Sequence, residues 1–350
     1  MIGLGIGVAW KVNRKTSDGS VPVNTVAPVI SGTAAVGNVL TSTTGTWTSD
    51  TGVTGYLYQW TRDGVNIASA TSSTYTLVTA DLTKTILCKV AATDSDGTSA
   101  YVNSNSLVIY DSNYLDVLNY ATGQGYTLPS LSQRIKQSNL LTDLKAAGVW
   151  NKLDTFANFA TDGSTQFALI DWKRLTQYTA VLSPTFTTNE GFTGNGTSSY
   201  IDTNFNPVTQ GINYTQNNAS RYLFMFSASG TSALDGRSAA SINNMSRSST
   251  SNQRINQSTT VLTGGSFDFT ATKGMKSIHR TSLTNVELFN ATTQGSRTAL
   301  SGIMTSSNQF ILRSGSSYGG HEISMYANGS SLVSENADFV NAYNTYINSL

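Results

Sequence analysis

The stretch Tyr58–Leu77, YQWTRDGVNIASATSSTYTL, decides the fold. Large apolar residues alternate with polar ones up to Arg62, and Asp63-Gly64 interrupts the run. Apolar residues then resume at Val65 and Ile67. Glycine takes a positive φ without steric cost and aspartate bonds its own backbone, so the pair predicts a tight hairpin turn between two strands. Similar runs lie on either side: NVLTSTTGTW, KTILCKVAATD and SAYVNSNSLVIY, with Asp96-Gly97 marking a second turn. Short period-two runs divided by turn residues predict an antiparallel sandwich over residues 25–110, entered through a linker that carries Pro22 and Pro28.

Composition sets the class. The chain has 350 residues, room for two or three domains. Charged residues are 12% of it, about half the usual share of a soluble domain, and the formal net charge is +1. Solubility therefore rests on Ser, Thr, Asn and Gly, as in extracellular, fibrous or viral surface proteins. Aromatic residues at 10% and hydrophobic residues at 39% are enough to fill cores, which argues against disorder. Lysines and arginines are scattered rather than gathered into a basic stripe, so nucleic acid is not an expected partner. No run is long enough to span a membrane. The opening MIGLGIGVAWKVNR is apolar first and basic second, the reverse of a signal peptide. Residues 1–24 read as an anchor arm and linker, the arm from Met1 to Trp10 being a strand or a segment buried on a partner. A processed or membrane-associated end is the alternative. Cys88 is the single cysteine, so no internal disulfide forms. It sits on a strand-like run and reads as a small buried hydrophobe rather than a nucleophile, which would need a partner base.

The run from GNVLTSTTGTW through YQWTRDGVNIASATSSTYTLVTADLTKTILCKVAATDSDGTSA resembles the immunoglobulin-like repeats of bacterial surface proteins and tailed-phage structural proteins. The resemblance spans about Asn24 to Tyr110 and rests on Gly45, Trp47, Tyr58 to Trp60, Asp63-Gly64, Tyr75, Asp81, Cys88 and Val90. In that family a tryptophan packs between the sheets, a place Trp60 would take. The family's cysteine partner is missing. Such modules act as spacers or weak adhesive units, so the resemblance implies no catalysis here.

After Tyr110 the pattern turns helical. SNYLDVLNYATGQG predicts a short helix that stops at its glycines. SLSQRIKQSNLLTDLKAAGVWNKLDTFANFA predicts two amphipathic helices broken near Gly148, with Leu153 and Phe156 on the second. Residues 111–162 are thus expected to be a helical connector. Asp154 falls on the polar side of the second helix and Asp162-Gly163 in a turn, which is a better account of them than a catalytic pair. From residue 163 to 350 strand-like runs return, among them ALIDWK, SYIDTNF, YLFMFSA, NVELFNA, QFILRSG and HEISMYANG, the size of a jelly-roll domain. The last run, SENADFVNAYNTYINSL, reads as a helix capped by Ser334. Its apolar face of Phe339, Tyr343, Tyr346 and Ile347 would dock on the sandwich or on a neighbouring subunit.

The order NLLTDLKAAGVWNKLDTFANFA, ALIDWKR, PTFTTNEGFTGNGTSSYIDTNFNP and ISMYANGSSLVSENADFVNAYNTYINSL resembles a module of phage and prophage structural proteins. It is similar to a laminin-G or concanavalin-like lectin sandwich with helical additions, over about Ser138 to Leu350. The fold expected for the whole chain is therefore mainly β: an Ig-like β-sandwich, a helical connector, then a jelly-roll (concanavalin-like) sandwich with a C-terminal helix.

Lectins of this shape often pair a calcium ion with an aromatic platform. Asp202, Asn204 and Asn206 alternate on one run, which would set three oxygen-bearing side chains on one face. Calcium binding and an ordinary solvent-facing polar face both fit, and no other cofactor is expected. Tyr200, Trp172, Tyr222 and Tyr318 could stack on a glycan, with core or ordinary surface as the alternative for each; Tyr200 and Tyr318 are the candidates kept, because Trp172 and Tyr222 lie in strongly apolar runs. The carboxylates Asp171, Glu190, Asp202, Asp235, Asp268, Glu287 and Glu322 form no paired motif, while Glu335 and Asp338 suit a helix start. His279 and His321 lack the HExxH context of a zinc enzyme. An enzyme is not expected.

The resemblances imply a phage structural protein on the virion surface, a spike, fibre or capsid-attached component that contributes to host-surface glycan adhesion. Its implied partners are other virion proteins through the N-terminal arm, further copies of itself, with a trimer as a guess from that role, and host-surface glycans. The alternatives are a bacterial cell-surface glycan-binding adhesin and, behind it, a polysaccharide-active enzyme.

Overall fold

A computed structural model describes residues 19–227, 233–236, 243–246, 253–257, 269, 272–304 and 306–350. The apolar arm Met1–Trp10 and Asp268 lie outside these. Among these residues strand exceeds helix, 39% to 18%, as expected for a mainly β chain. The chain divides into two compact units, Met1–Ile109 and Tyr110–Leu350.

In the first unit, strands Gly55–Arg62 and Val65–Asn66 form the expected hairpin. Asp63 and Gly64 both take positive φ, 47° and 81°, the turn whose twist matches flanking strands. Gly55–Arg62 pairs along its length with Thr85–Thr93, which sets Trp60 directly opposite Cys88. A second sheet joins Ile30–Ser31, Val39–Ser42 and Thr74–Thr76. Between the sheets Trp60, Cys88, Leu40, Ile86 and Val90 are fully buried. Trp60 stacks on Tyr75 from the opposite sheet at 5.6 Å, and its indole N–H donates to the Ser72 carbonyl at 2.8 Å. The Cys88 thiol is buried, and burial pushes its pKa up, away from the reactive thiolate.

Asp81 closes the end of this sandwich. Its buried carboxylate takes the Arg62 Nε–H at 2.7 Å, the Tyr75 hydroxyl at 2.9 Å and the Val78 N–H at 2.8 Å. Tyr75→Phe removes one donor from a buried charge and keeps the ring that stacks on Trp60. The unit should lose about 2 kcal/mol, measured as a shift in its urea midpoint at unchanged slope.

The second unit is a β-sandwich with a helical layer. Among the described residues its larger sheet has eight strands, in the order Thr185–Thr187, Gly191–Thr193, Glu322–Gly329, Ala219–Ser227, Gly274–Arg280, Asn285–Asn290, Thr293–Thr298, with Leu153–Asn158 also paired to Glu322–Gly329. The five-stranded sheet runs Thr179–Val181, Tyr200–Asp202, Phe310–Ile311, Ala233–Gly236, Asn244–Ser246. Ala219, Leu223, Met225, Ile278, Leu288 and Tyr326 of the first meet Ile201, Leu234, Met245 and Ile311 of the second in one core.

Alternation along Ala219–Ser227 explains why YLFMF is apolar throughout. Leu223 and Met225 face the other sheet, while Tyr222 and Phe224 face the C-terminal helix Asn336–Asn348, with ring centroids 4.7 Å from Phe339 and 5.0 Å from Tyr343. Phe339, Tyr343, Tyr346 and Ile347 are buried, each such aromatic or aliphatic side chain adding about 1.5–3 kcal/mol. The helix thus docks on its own sandwich. Ser334 does not cap it: the N-cap is Glu335, which makes no side-chain cap bond and pairs instead with Lys152 at 2.8 Å.

The helical connector needs correction. Helices Ser112–Gly123 and Leu131–Ala146 form as expected, capped by Asp111 and Ser130, but they belong to the second unit. The second stops before Gly148, at φ 70°. The next residues make a strand, Leu153–Asn158, rather than a helix. All six of its residues are buried, so its polar groups need partners. Thr155 accepts from Asn328, and Asn158 accepts from the Tyr343 hydroxyl. Asp154 accepts the N–H groups of Ile212, Asn213 and Tyr214. It is a loop anchor inside the fold, not a polar helix residue.

Candidate functional site

The five-stranded sheet carries an aromatic cluster on its outer side. Ile201 enters the core, so alternation turns Tyr200 and Asp202 outward. Phe310 pairs with Asp202 and faces the same way. Alternation would next turn Leu312 outward and Arg313 inward. Instead Leu312 takes φ 64°, a left-handed conformation uncommon for leucine, and Ile311 and Leu312 both enter the core. The kink re-aims Arg313 onto the face of Phe310 and Tyr200. A short hairpin then places Tyr318 directly opposite Arg313.

The result is one patch. The Tyr200 ring lies 5.3 Å from Phe310, edge-on, and 6.1 Å from Tyr318. The Arg313 guanidinium sits 4.6 Å from the Tyr200 centroid, 4.8 Å from Phe310 and 5.6 Å from Tyr318. Tyr200, Arg313 and Tyr318 are half-buried, so each keeps an exposed edge. Close backbone packing sets the spacing between the two tyrosines. A Cβ on Gly194 would meet the Gly319 carbonyl at 2.0 Å, and one on Gly319 would meet the Ala233 carbonyl at 2.0 Å. The loop before Tyr200 is held by Asn195 Oδ1, which accepts the N–H groups of Thr197, Ser198 and Ser199.

Tyr200 and Tyr318, far apart in sequence, are therefore neighbours. Phe310 and Arg313 were missed by the sequence reading. The signal for Arg313 was the RSGSSY turn, whose hairpin pairs it with Tyr318; nothing in QFILRSG announces the kink at Leu312. Trp172 and Tyr222 are core residues, 2% and 0% exposed.

The triad Asp202, Asn204 and Asn206 does not lie on one strand face. The strand ends at Asp202, and Asn204 takes φ 52°. Each side chain has its own structural task. Asp202 accepts from Asn308 and from the Asn204 N–H. Asn204 donates to the Gln177 carbonyl and to Thr179. Asn206 caps the turn at Val208 and donates to Ser306. One carboxylate already engaged by two donors is a poor fit to calcium, which takes six to eight oxygens. Among the described residues no three His, Cys, Asp or Glu side chains gather as metal ligands.

Two constellations bear on catalysis. Ser277 Oγ lies 3.0 Å from His279 Nε2, the contact of a nucleophile and its base. Here the wiring is reversed. The Leu332 N–H donates to Nδ1 at 3.2 Å, so that nitrogen is unprotonated and Nε2 carries the hydrogen. His279 therefore donates to Ser277, which donates on to Asn336. The imidazole is fully buried, and its nitrogen that faces Ser277 has no lone pair to take the serine proton. The second constellation is Glu190 and Glu322. Burial and the neighbouring Glu322, hydrogen-bonded to it, raise the Glu190 pKa.

No protein-family model matches the sequence, and no curated protein matches it. Solved structures similar to the chain include domain 4 of AbnA, an extracellular GH43 arabinanase from Geobacillus stearothermophilus, in complex with arabinotriose. That likeness has 12% identity and a TM-score of 0.34, over 54% of this chain and 98% of the other. The receptor-binding domain of a botulinum neurotoxin C/D mosaic serotype follows at 9% identity and 0.41, over 55% and 51%. A mutant Trypanosoma rangeli sialidase displaying trans-sialidase activity follows at 12% and 0.40, over 91% and 53%. The chain spans about half the length of the latter two. Identities and TM-scores this low say nothing of what this chain binds.

Proposed function

We propose that the second unit is a carbohydrate-binding module, with Tyr200 and Tyr318 as its contact platform. The observation that carries this reading is the convergence of three aromatic rings on one outward face, held by a left-handed leucine that the strand alone would not adopt. Aromatic rings stack on the apolar C–H face of a pyranose and lose little side-chain entropy in doing so. The first unit serves as a spacer. The carrier is a virion, on whose surface the chain acts as a spike, fibre or capsid-attached protein that adheres to host-surface glycans. It associates with itself, as a trimer, and with other virion proteins through its N-terminal arm. Low charge, absence of disulfides and serial sandwiches support that setting, as do the resemblances carried by residues 24–110 and 138–350. Binding without turnover is favoured over hydrolysis by the reversed Ser277–His279 contact.

The test is binding of the full chain to an array of surface glycans. Tyr200→Ala and Tyr318→Ala should each weaken the best ligand about tenfold, equivalent to about 1.4 kcal/mol, with unchanged circular dichroism. Folded variants that bind as well as the parent, or a parent that binds nothing, would refute the platform. The setting is tested by immunogold labelling with an antibody against residues 167–350. Label on tail tips or vertices supports attachment, whereas label on bacterial cells and none on particles favours the adhesin.

A further inference from the structure

We infer that the platform selects acidic glycans, with Arg313 receiving a sugar carboxylate; the inference rests on the platform reading above. A guanidinium has five N–H donors in a planar fork. In Arg313 the Nε–H is spent on the Gly315 carbonyl at 3.0 Å, a bond that fixes the plane of the group. No hydrogen bond engages its two terminal nitrogens among the described residues, and none of their carboxylates pairs with it. Asp202, on the strand beside it, is held by Asn308 and the Asn204 N–H instead. By contrast Arg62, Arg174 and Arg221 each pair with an aspartate at 2.7–3.2 Å. Arg313 is thus an oriented cation that keeps its charge and its outer donors for something else.

Its neighbours narrow the class. Three rings lie 4.6–5.6 Å from it, within cation–π distance, and its unbonded terminal N–H groups are what remains to meet a ligand. Two terminal N–H groups in one plane match the two oxygens of a carboxylate, a bidentate geometry that an ammonium cannot offer. The tyrosine edges on either side suit the ring that bears such a carboxylate. The ligand is therefore a saccharide whose carboxylate lies on or beside a pyranose ring.

The experiment uses the full chain and an array of matched pairs, each saccharide shown as the free acid and as its methyl ester. The ester keeps size and shape and removes the charge. The acid should bind at least tenfold more tightly than its ester, with affinity falling as salt rises. Arg313→Gln should abolish that preference, so that acid and ester bind alike; Arg313→Lys, with charge but no fork, should retain part of it. Equal binding of acids and esters, with Arg313→Gln silent, overturns the inference and leaves the platform intact. About tenfold weaker binding in Tyr318→Ala, with the acid preference present in the parent, supports both. If neither acids nor esters bind the folded parent, the platform reading itself fails and the inference with it.

Discussion

Asp235→Ala is expected to cost the second unit about 3–5 kcal/mol, more than most core truncations of its size, because it strands a buried charge. Arg221 lies on the inward face of Ala219–Ser227, between Ala219 and Leu223, where alternation calls for an apolar residue. Asp235 comes from the opposite sheet, and both side chains are 0% exposed. Arg221 Nη1 sits 3.0 Å from Asp235 Oδ1, Nη2 donates to the Arg254 carbonyl, and the Tyr326 hydroxyl donates to Asp235 Oδ2 at 2.8 Å. Burial pushes the Asp235 carboxyl upward, against Arg221, the Tyr326 hydroxyl and the Met245 N–H. A guanidinium at that distance, itself unable to shed its proton, keeps the carboxylate ionised. Removing the carboxylate leaves the guanidinium alone in the core. Removing the whole set should be far milder. Arg221→Met, Asp235→Leu and Tyr326→Phe together exchange the polar network for apolar packing of similar volume, and the combined variant should be more stable than Asp235→Ala alone. Urea unfolding followed on the second unit's transition checks the order. A triple variant worse than the single would mean that packing around the pair, not its charge, supplies the stability.

The ion pair also shows where sequence reading stops. Asp63-Gly64 was legible because turn chemistry is local: two residues fix two φ angles. Trp60 and Cys88 were legible as core because period-two alternation places them inward. The C-terminal helix followed from the spacing of Phe339, Tyr343 and Ile347. Leu153–Asn158 was not legible as a strand. Its Asp, Thr and Asn are buried only because Ile212–Tyr214, Asn328 and Tyr343 bring partners from distant parts of the chain. Arg221 was invisible for the same reason, its partner being on another strand. At the candidate site the two tyrosines were read from residue type, whereas Arg313 joins them through one left-handed leucine whose conformation the sequence does not encode locally. Asp202, Asn204 and Asn206 failed in the opposite way. Their spacing suggested a strand, and the positive φ of Asn204 ended it.

His279 should make the fold acid-sensitive, and the effect is best seen as a difference between proteins. The imidazole is fully buried, edge-on to Tyr222 at 5.0 Å and to Phe289 at 5.2 Å, and burial lowers its pKa from 6.5 to about 3. Protonation would also set Nδ1–H against the Leu332 N–H that now donates to it. Among the described residues no carboxylate bonds the imidazole: Glu287, opposite in the register, accepts from Asn285 and Gln294, and Glu335 pairs with Lys152. The sign follows from proton counts. Above pH 6.5 the imidazole is neutral folded and unfolded, and its contribution is complete. As pH falls from 6.5 toward 3 the unfolded chain binds a proton that the folded chain refuses, so stability drops by about 1.4 kcal/mol per unit. Asp171 acts the other way. Burial raises its carboxyl to about 6 despite Arg174, so the folded state takes a proton first and gains stability as pH falls from about 6 toward 3.8. The two slopes oppose each other in the parent. His279→Gln removes one of them and leaves Asp171 alone. The stability gap between parent and variant at pH 7 should therefore shift by about 3 kcal/mol in the variant's favour at pH 4. Asp171→Asn should shift it in the opposite direction. A gap between parent and His279→Gln that stays constant from pH 7 to pH 4 would mean that the imidazole accepts its proton within the fold, contrary to the hydrogen bond from Leu332.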